Sequence, residues 1–253
     1  MRTAILATCA VIAMGRGRAA GSDWQSPIAT DRPAVTDSSV VVPLGSLVVE
    51  NGFTETTSPG QTTFDATESL LRFGVLSKTE LRLVVPDCFG QLGASAGFGD
   101  LAIGLKQQLG PAPGGFDVSL VLSLSLPTGA RAFTSHGYDP SVQLPWSRAL
   151  SANWTAAGML SVYFPTSGNS RNVTGETTFL LDRQLTKRWD AFAEYAGDFP
   201  EQGGPRRLLH FGTAYKTTPQ QQLDLHVGAG LSRAAVDHFV GLGYSFRWQA
   251  LRR

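Results

Sequence analysis

The chain has little charge and no long apolar run, and each shortage excludes a class of protein. Charged residues make up 16% of the 253 residues, and the formal net charge is +1. This balance gives no sign of a basic surface for nucleic acid, so we expect no nucleic-acid partner. No stretch of roughly 18 apolar residues occurs, which excludes a membrane-spanning helix.

Cysteine is also scarce, and the two that occur cannot be expected to pair. The N-terminus resembles a secretory signal, with Arg2 before an apolar core over 4–14 and small residues up to Ala20. We therefore expect residues 1–20 to be removed, taking Cys9 with them. Cys88 would then have no partner in the chain, and the fold must be stable without a disulfide.

Alternation between apolar and polar residues is what the chain has in abundance, and residues 117–127 show it best. Successive side chains of a strand point to opposite faces, so residues of one parity share a face. One parity of this stretch is apolar, and the other is mostly serine: Val118, Leu120, Leu122, Leu124 and Leu126 against Ser119, Val121, Ser123 and Ser125. The pattern predicts a strand with one apolar and one small, polar face.

Twelve such runs occur after an irregular, polar lead-in over 21–45, which we expect to lie in the periplasm. The predicted strands are 47–55, 68–73, 79–85, 100–109, 117–127, 142–146, 154–164, 173–182, 189–197, 209–215, 222–228 and 239–248. Longer connections are predicted at 56–63, 86–99, 128–139, 165–172, 198–207 and 232–238, and short turns near 77–78, 110–115, 147–153, 184–188 and 216–220.

The alternation of long and short connections predicts the architecture. Short turns at one end and long loops at the other are typical of a transmembrane β-barrel, whereas a soluble, secreted β-sandwich, the other fold considered, does not require them. In lipid every backbone donor and acceptor must be paired, so an exported β chain inserts as a closed barrel. We therefore predict an all-β fold: a closed antiparallel barrel of about twelve strands over 46–248, with short periplasmic turns, longer extracellular loops and a tail over 249–253.

Aromatic residues collect at the end with the short turns. Such a band is expected where a barrel meets the membrane–water interface, while aromatics that fill a core would not gather at one rim. The predicted interface aromatics are Trp146, Trp154, Trp189, Tyr215, Phe246 and Trp248.

The order of short motifs resembles a known family. The motifs are Thr30-Asp-Arg-Pro33, Glu68-Ser-Leu-Leu-Arg72, Gly97-Phe-Gly-Asp-Leu101, Gly104-Leu-Lys106, Leu124-Ser-Leu-Pro-Thr-Gly129, Asp139-Pro-Ser141, Phe192-Ala-Glu-Tyr195 and Gly241-Leu-Gly-Tyr-Ser-Phe246. They are similar to those of the bacterial outer-membrane proteins grouped as "putative MetA-pathway of phenol degradation". The resemblance implies a transporter-like barrel that passes aromatic compounds. The chain departs from it by continuing to Arg253 after the last aromatic, where such barrels usually end on the aromatic itself.

Strand parity also predicts which charged and polar side chains face the lumen. The candidates for a transport path are Glu68, Arg72, Glu80, Arg82, Lys106, Glu194, His210, Asp224, His226 and Arg247, and Glu50, Glu176 and Asp182 share their parity. Such residues either line a path for solute or pair with one another and fill a narrow barrel. His210 and His226 fall on neighbouring strands, where two hydrogen-bonded histidines are a simpler interpretation than a metal site. We predict no metal and no cofactor.

Catalysis is not indicated by the arrangement of histidines. A phospholipase built on a twelve-stranded barrel needs a serine nucleophile two residues after a histidine on one strand. The residues in that position are Tyr138, Gly212, Gly228 and Val240, so we predict that the protein is not an enzyme.

The sequence as a whole predicts a bacterial outer-membrane channel or uptake protein for small solutes, including aromatic or hydrophobic ones, by passive passage. Its expected partners are the lipid bilayer, the outer-membrane assembly machinery and an unidentified small solute. The alternative is a non-conducting structural or surface-interaction barrel that acts through its long extracellular loops.

Overall fold

The computed structural model describes residues 24–91 and 96–251, and the predicted signal segment 1–20 lies outside them. In these ranges no helix is long and apolar enough to cross a membrane. The described residues form sixteen strands: β1 Ser46–Ser58, β2 Gln61–Leu76, β3 Thr79–Val84, β4 Cys88–Gln91, β5 Ala96–Phe98, β6 Leu101–Gln108, β7 Phe116–Leu126, β8 Asp139–Ala149, β9 Trp154–Tyr163, β10 Thr166–Ser167, β11 Ser170–Arg171, β12 Thr174–Gln184, β13 Trp189–Pro200, β14 Arg206–Thr218, β15 Gln221–Gly230 and β16 His238–Gln249.

Twelve of these strands close into one antiparallel barrel, as predicted. The order around the barrel is β1, β16, β15, β14, β13, β12, β9, β8, β7, β6, β3 and β2, and β1 pairs with β2 to close it. The long β2 pairs with β3 only along its C-terminal part. The short β4 pairs with the N-terminal part of β2, and β5 pairs with β4. The small hairpin of β10 and β11 is separate from the barrel wall.

The two faces of the wall follow the predicted parity. On β7, Leu122 is 44% exposed, whereas Val121 and Ser119 are fully buried inside the barrel. On β16, Leu242 and Trp248 are exposed, while Ser245 and Arg247 are buried. An exposed apolar outer face is what a lipid environment stabilises, so the outside of this barrel is built for a membrane.

The connections agree with the prediction at the short-turn end and differ in part at the other. β1 and β2 continue as a paired hairpin to Ser58 and Gln61, so the loop predicted over 56–63 is reduced to Pro59-Gly60. Threonines at 56, 57, 62 and 63 pair across this hairpin, and such β-branched residues favour strand over loop. The loop predicted over 198–207 shortens in the same way, because β13 extends to Pro200 and β14 begins at Arg206.

Candidate functional site: a plugged lumen

Residues 24–45, here called the plug segment, occupy the inside of the barrel. We expected an irregular lead-in outside the barrel over 21–45; the described part is irregular, but it contacts the inner wall instead. It enters at the short-turn end, where the Ile28 N–H donates to the Pro219 carbonyl (2.7 Å), and it returns to Gly45, which has a positive φ and precedes β1. Prolines at 27, 33 and 43 explain why it forms no strand.

Asp31 of the plug segment lies at the centre of an ionic network with the wall. Its carboxylate is 3.1 Å from Arg72 Nη1, 2.5 Å from Arg82 Nη1 and 3.1 Å from Lys106 Nζ. Asp31 is 6% exposed, and the Arg72 and Lys106 side chains are fully buried. Charges removed from water this thoroughly are stable only when paired and hydrogen-bonded, so these contacts fix the plug segment on the wall formed by β2, β3 and β6.

Two wall glutamates in the same region receive backbone N–H groups of the plug segment. Glu50 Oε2 accepts hydrogen bonds from the N–H groups of Asp31 (2.9 Å) and Arg32 (2.8 Å). Glu80 Oε2 accepts one from Val42 N–H (2.7 Å). Because the plug segment has no regular secondary structure, these carboxylates supply partners that its buried backbone would otherwise lack.

A second anchor lies across the lumen at Glu194 on β13. Its carboxylate accepts hydrogen bonds from Val35 N–H (2.9 Å), Thr36 N–H (2.7 Å) and the Thr36 hydroxyl (2.6 Å), and it lies 2.8 Å from His210 Nδ1. His210 Nε2 is 3.1 Å from His226 Nδ1, so the two histidines continue the chain of hydrogen bonds around the wall. Within the described residues, no three side chains of the ligating types are arranged to hold a metal ion.

Two arginines complete the attachment. Arg32 of the plug segment pairs with Glu68 on β2 and lies 3.4 Å from Asp224 on β15. At the short-turn end, Arg247 on β16 donates to the Trp24 carbonyl (2.6 Å) and its guanidinium lies 5.0 Å from the Trp24 ring centre. Of the ten predicted lumen candidates, eight contact the plug segment directly, and His210 and His226 reach it through Glu194. Whether they act in transport remains a prediction.

A cavity of about 450 Å³ remains beside the plug segment, lined on one side by plug residues that include Asp31 and Asp37. One wall of it is the plug segment itself, and the other consists of inward-facing residues from β7 to β15, among them Asp117, Leu180, Asp182 and Phe192. Several of its lining positions carry small side chains, such as Ala149 and Ala214. The plug segment therefore leaves part of the lumen unfilled.

The six predicted interface aromatics lie near the short-turn ends of β8, β9, β13, β14 and β16. Trp154, Trp189, Tyr215 and Trp248 are exposed, and Trp146 and Phe246 are partly buried. Trp146 packs against Phe116 and Phe179, at ring-centre distances of 5.8 Å and 6.3 Å.

The plug-side partners are the functional residues that sequence reasoning missed. Asp31, Arg32 and Thr36 do not belong to any periodic pattern in the sequence. Their partners can also be distant in the chain: Thr178 lies 142 residues from Thr36, and Asp224 lies 192 residues from Arg32. The available signal was the motif Thr30–Pro33, which we used for the resemblance without assigning its charged pair a place in the barrel.

Comparisons with known proteins agree with this architecture. The sequence model of the family described as "Putative MetA-pathway of phenol degradation" matches residues 30–248. Among solved structures, an outer membrane channel from Pseudomonas putida F1 is similar, with a TM-score of 0.63 and 11% identity over 85% of this chain and 100% of that one. The KdgM porin (TM-score 0.56, 12% identity) and the NanC porin (0.57, 9%) each align over 79% of this chain and 98% of theirs. The comparison with curated protein sequences found no match.

Proposed function

This chain belongs to the bacterial outer-membrane family described as "Putative MetA-pathway of phenol degradation", and we propose that it is a passive channel closed by its own plug segment. Its place is the outer membrane, where the apolar outer face meets lipid. Small solutes pass through the lumen without chemical change when the plug segment moves. The observation that supports this most strongly is that a separate, irregular segment occupies the lumen and pairs with charged side chains of the wall.

The wall is suited to both a closed and an open lumen. With the plug segment in place, its charges are buried and paired. Once the plug segment moves, Arg72 keeps Glu80 at 2.8 Å and Glu50 at 3.0 Å, both of which are wall residues. Water entering the lumen would hydrate the remaining charges, so opening does not leave an isolated charge in a dry interior. Apolar side chains in the lumen would not be stabilised by this water.

The cavity beside the plug segment supports the solute class. Its volume of about 450 Å³ lies in the range of pockets that hold small organic molecules. The lining combines apolar groups, such as Leu180 and Phe192, with carboxylates, such as Asp117 and Asp182. A small aromatic molecule with one polar group matches this mixture, and the family's description points to the same class.

A reversible cross-link between the plug segment and the wall tests the proposal. The hydroxyl oxygens of Ser39 and Ser147 are 2.7 Å apart, close enough for cysteines at these positions to form a disulfide with small adjustment. The variant S39C/S147C, made in a C88S background, is reconstituted in a planar bilayer and recorded before and after reduction. S39C in the same background is the matched control.

We expect the oxidised double variant to lose its openings and to regain them on reduction, while the control responds to neither treatment. A cross-linked protein that conducts as well as the reduced one would contradict gating by the plug segment. Gel mobility before and after boiling verifies that each variant is a folded barrel.

A further inference from the structure

The side chain of Arg32 lies in a groove whose floor is made of glycine. Gly52 on β1 and Gly243 on β16 face each other in register, and the guanidinium extends across both. A Cβ atom at Gly52 would overlap the guanidinium carbon of Arg32, and one at Gly243 would overlap its Nε. Gly241, two residues before Gly243 on β16, leaves the same kind of space beside His226. We call this groove the Arg32 cradle.

Carboxylates surround the cradle in excess over cations. Glu68 pairs with Arg32, and Asp224 Oδ1 lies 3.4 Å from Arg32 Nη2. Asp65 on β2 pairs with Thr54 on β1, and Thr54 pairs on its other side with Gly241 on β16. Asp65 and Asp87 lie close enough to Glu68 and Arg32 for their charges to interact. Two carboxylates therefore contact this guanidinium, and two more interact with its charge.

The hydrogen bonding in the cradle is incomplete. Among the described residues, Asp65 Oδ1, Asp224 Oδ2, Arg32 Nε and His226 Nε2 are buried without a hydrogen-bond partner. The Asp224 side chain is fully buried. Each such atom lowers the stability of the folded state, and more so when the group is charged. Arg32 cannot improve this geometry freely, because its own backbone N–H is held by Glu50 at 2.8 Å.

A free cation of the same shape would not have this restriction. A guanidinium group carries several N–H donors in a planar fork that matches carboxylate oxygens. The cradle is also less enclosed than the Asp31 network: the side chains of Arg32 and Glu68 are 14% and 18% exposed, against 0% for those of Arg72 and Glu80. A small cation from solution therefore has better access to the cradle than to the Asp31 network.

We infer that the Arg32 cradle is a binding site for small guanidinium-type cations, which compete with Arg32 for Glu68 and Asp224 and so loosen the plug segment. The inference rests on the proposed gating by that segment. It gives the channel a class of soluble ligand that promotes opening, recognised through the same carboxylates that hold the plug segment closed.

The test uses methylguanidinium chloride as the probe, with methylurea as its uncharged analogue of the same shape and ionic strength held constant. Both are added at millimolar concentration to the full chain in a planar bilayer. We expect methylguanidinium to raise the open fraction by about tenfold, equivalent to about 1.4 kcal/mol, and methylurea to leave it unchanged. D224N should lose the response, whereas D198N, at an exposed ion pair with Arg206, should keep it.

A second measurement tests the site without conductance. In R32A the cradle is vacant, so methylguanidinium should raise the unfolding temperature of R32A and not that of R32A/D224N. No thermal shift in folded R32A, or equal responses to methylguanidinium and methylurea, would overturn the inference. If the wild type ignores the probe while the reduced S39C/S147C variant conducts, the inference fails and the channel function stands. If no variant conducts, the channel function fails, and the thermal shift alone decides whether the site binds the cation.

Discussion

Replacing Asp31 with asparagine tests how the plug segment is held, because it removes one charge and almost no volume. The carboxylate of Asp31 contacts Arg72, Arg82 and Lys106 at 3.1, 2.5 and 3.1 Å. It also accepts a hydrogen bond from Ser38 N–H at 2.9 Å, which an asparagine oxygen can still accept. The substitution therefore isolates the ionic attraction between the plug segment and three wall cations.

The magnitude follows from the burial of the partners. Removing one member of a buried ion pair costs about 3–5 kcal/mol, because the other is left without compensation. Arg72 keeps Glu50 and Glu80, so we expect the lower end, about 3 kcal/mol. That free energy corresponds to a change of about 100-fold in the equilibrium between the seated and released plug segment.

The assay is the open fraction of D31N and wild type in planar bilayers, with D198N as the matched control. Asp198 pairs with Arg206 at 3.1 Å, but their side chains are 32% and 49% exposed, and such surface pairs are worth about 0–1 kcal/mol. We expect D31N to open far more often and D198N to behave like wild type. A folded D31N barrel with an unchanged open fraction would refute the reasoning that the Asp31 network seats the plug segment.

Three further predictions concern the wall and the extracellular loops. L122R places a charge on the lipid face and should cost about 2–4 kcal/mol near the midplane, whereas S123R faces the lumen and should cost less; equal losses of unfolding free energy would refute the facing assignment. K106Q should shift the reversal potential of open channels toward cations, and an unchanged potential would show that Lys106 does not face the conducting path. Burial raises the pKa of Asp100, but hydrogen bonds from the N–H groups of Ser135 and Gly129 lower it. Together the hydrogen bonds outweigh burial, so the pKa lies below its usual value. This carboxylate stabilises the 127–138 loop above its unfolded pKa and loses that effect as pH falls through the folded pKa; proteolysis of the loop should rise at low pH in wild type and at all pH values in D100N.

The wall of the barrel could be predicted from the sequence because strand parity is a local signal. A period of two assigns Leu122 outward and Ser119 inward, and the same count places Arg72, Glu80 and Lys106 inside. The signal is strong because one face meets lipid and the other does not. The twelve strands followed from the same alternation, whereas the family followed from the order of short motifs.

The plug segment could not be predicted in this way, because its position depends on contacts that no local pattern encodes. Asp31 reaches Lys106, 75 residues away, and Thr36 reaches Glu194, 158 residues away. Residues 24–45 lack periodicity, which is equally consistent with a lead-in outside the barrel. The glycine floor beneath Arg32 was likewise hidden, since Gly52 and Gly243 become neighbours only when β1 and β16 close the barrel.

Single-channel recording of the purified full chain in a planar bilayer tests the central claim most directly. A channel closed by its own segment should be silent for long periods and show brief openings, and D31N should show the same openings more often. Both proteins must first be verified as folded barrels by their gel mobility with and without boiling. Absence of conductance in folded wild type and folded D31N alike would contradict a channel and favour a structural barrel that acts through its loops.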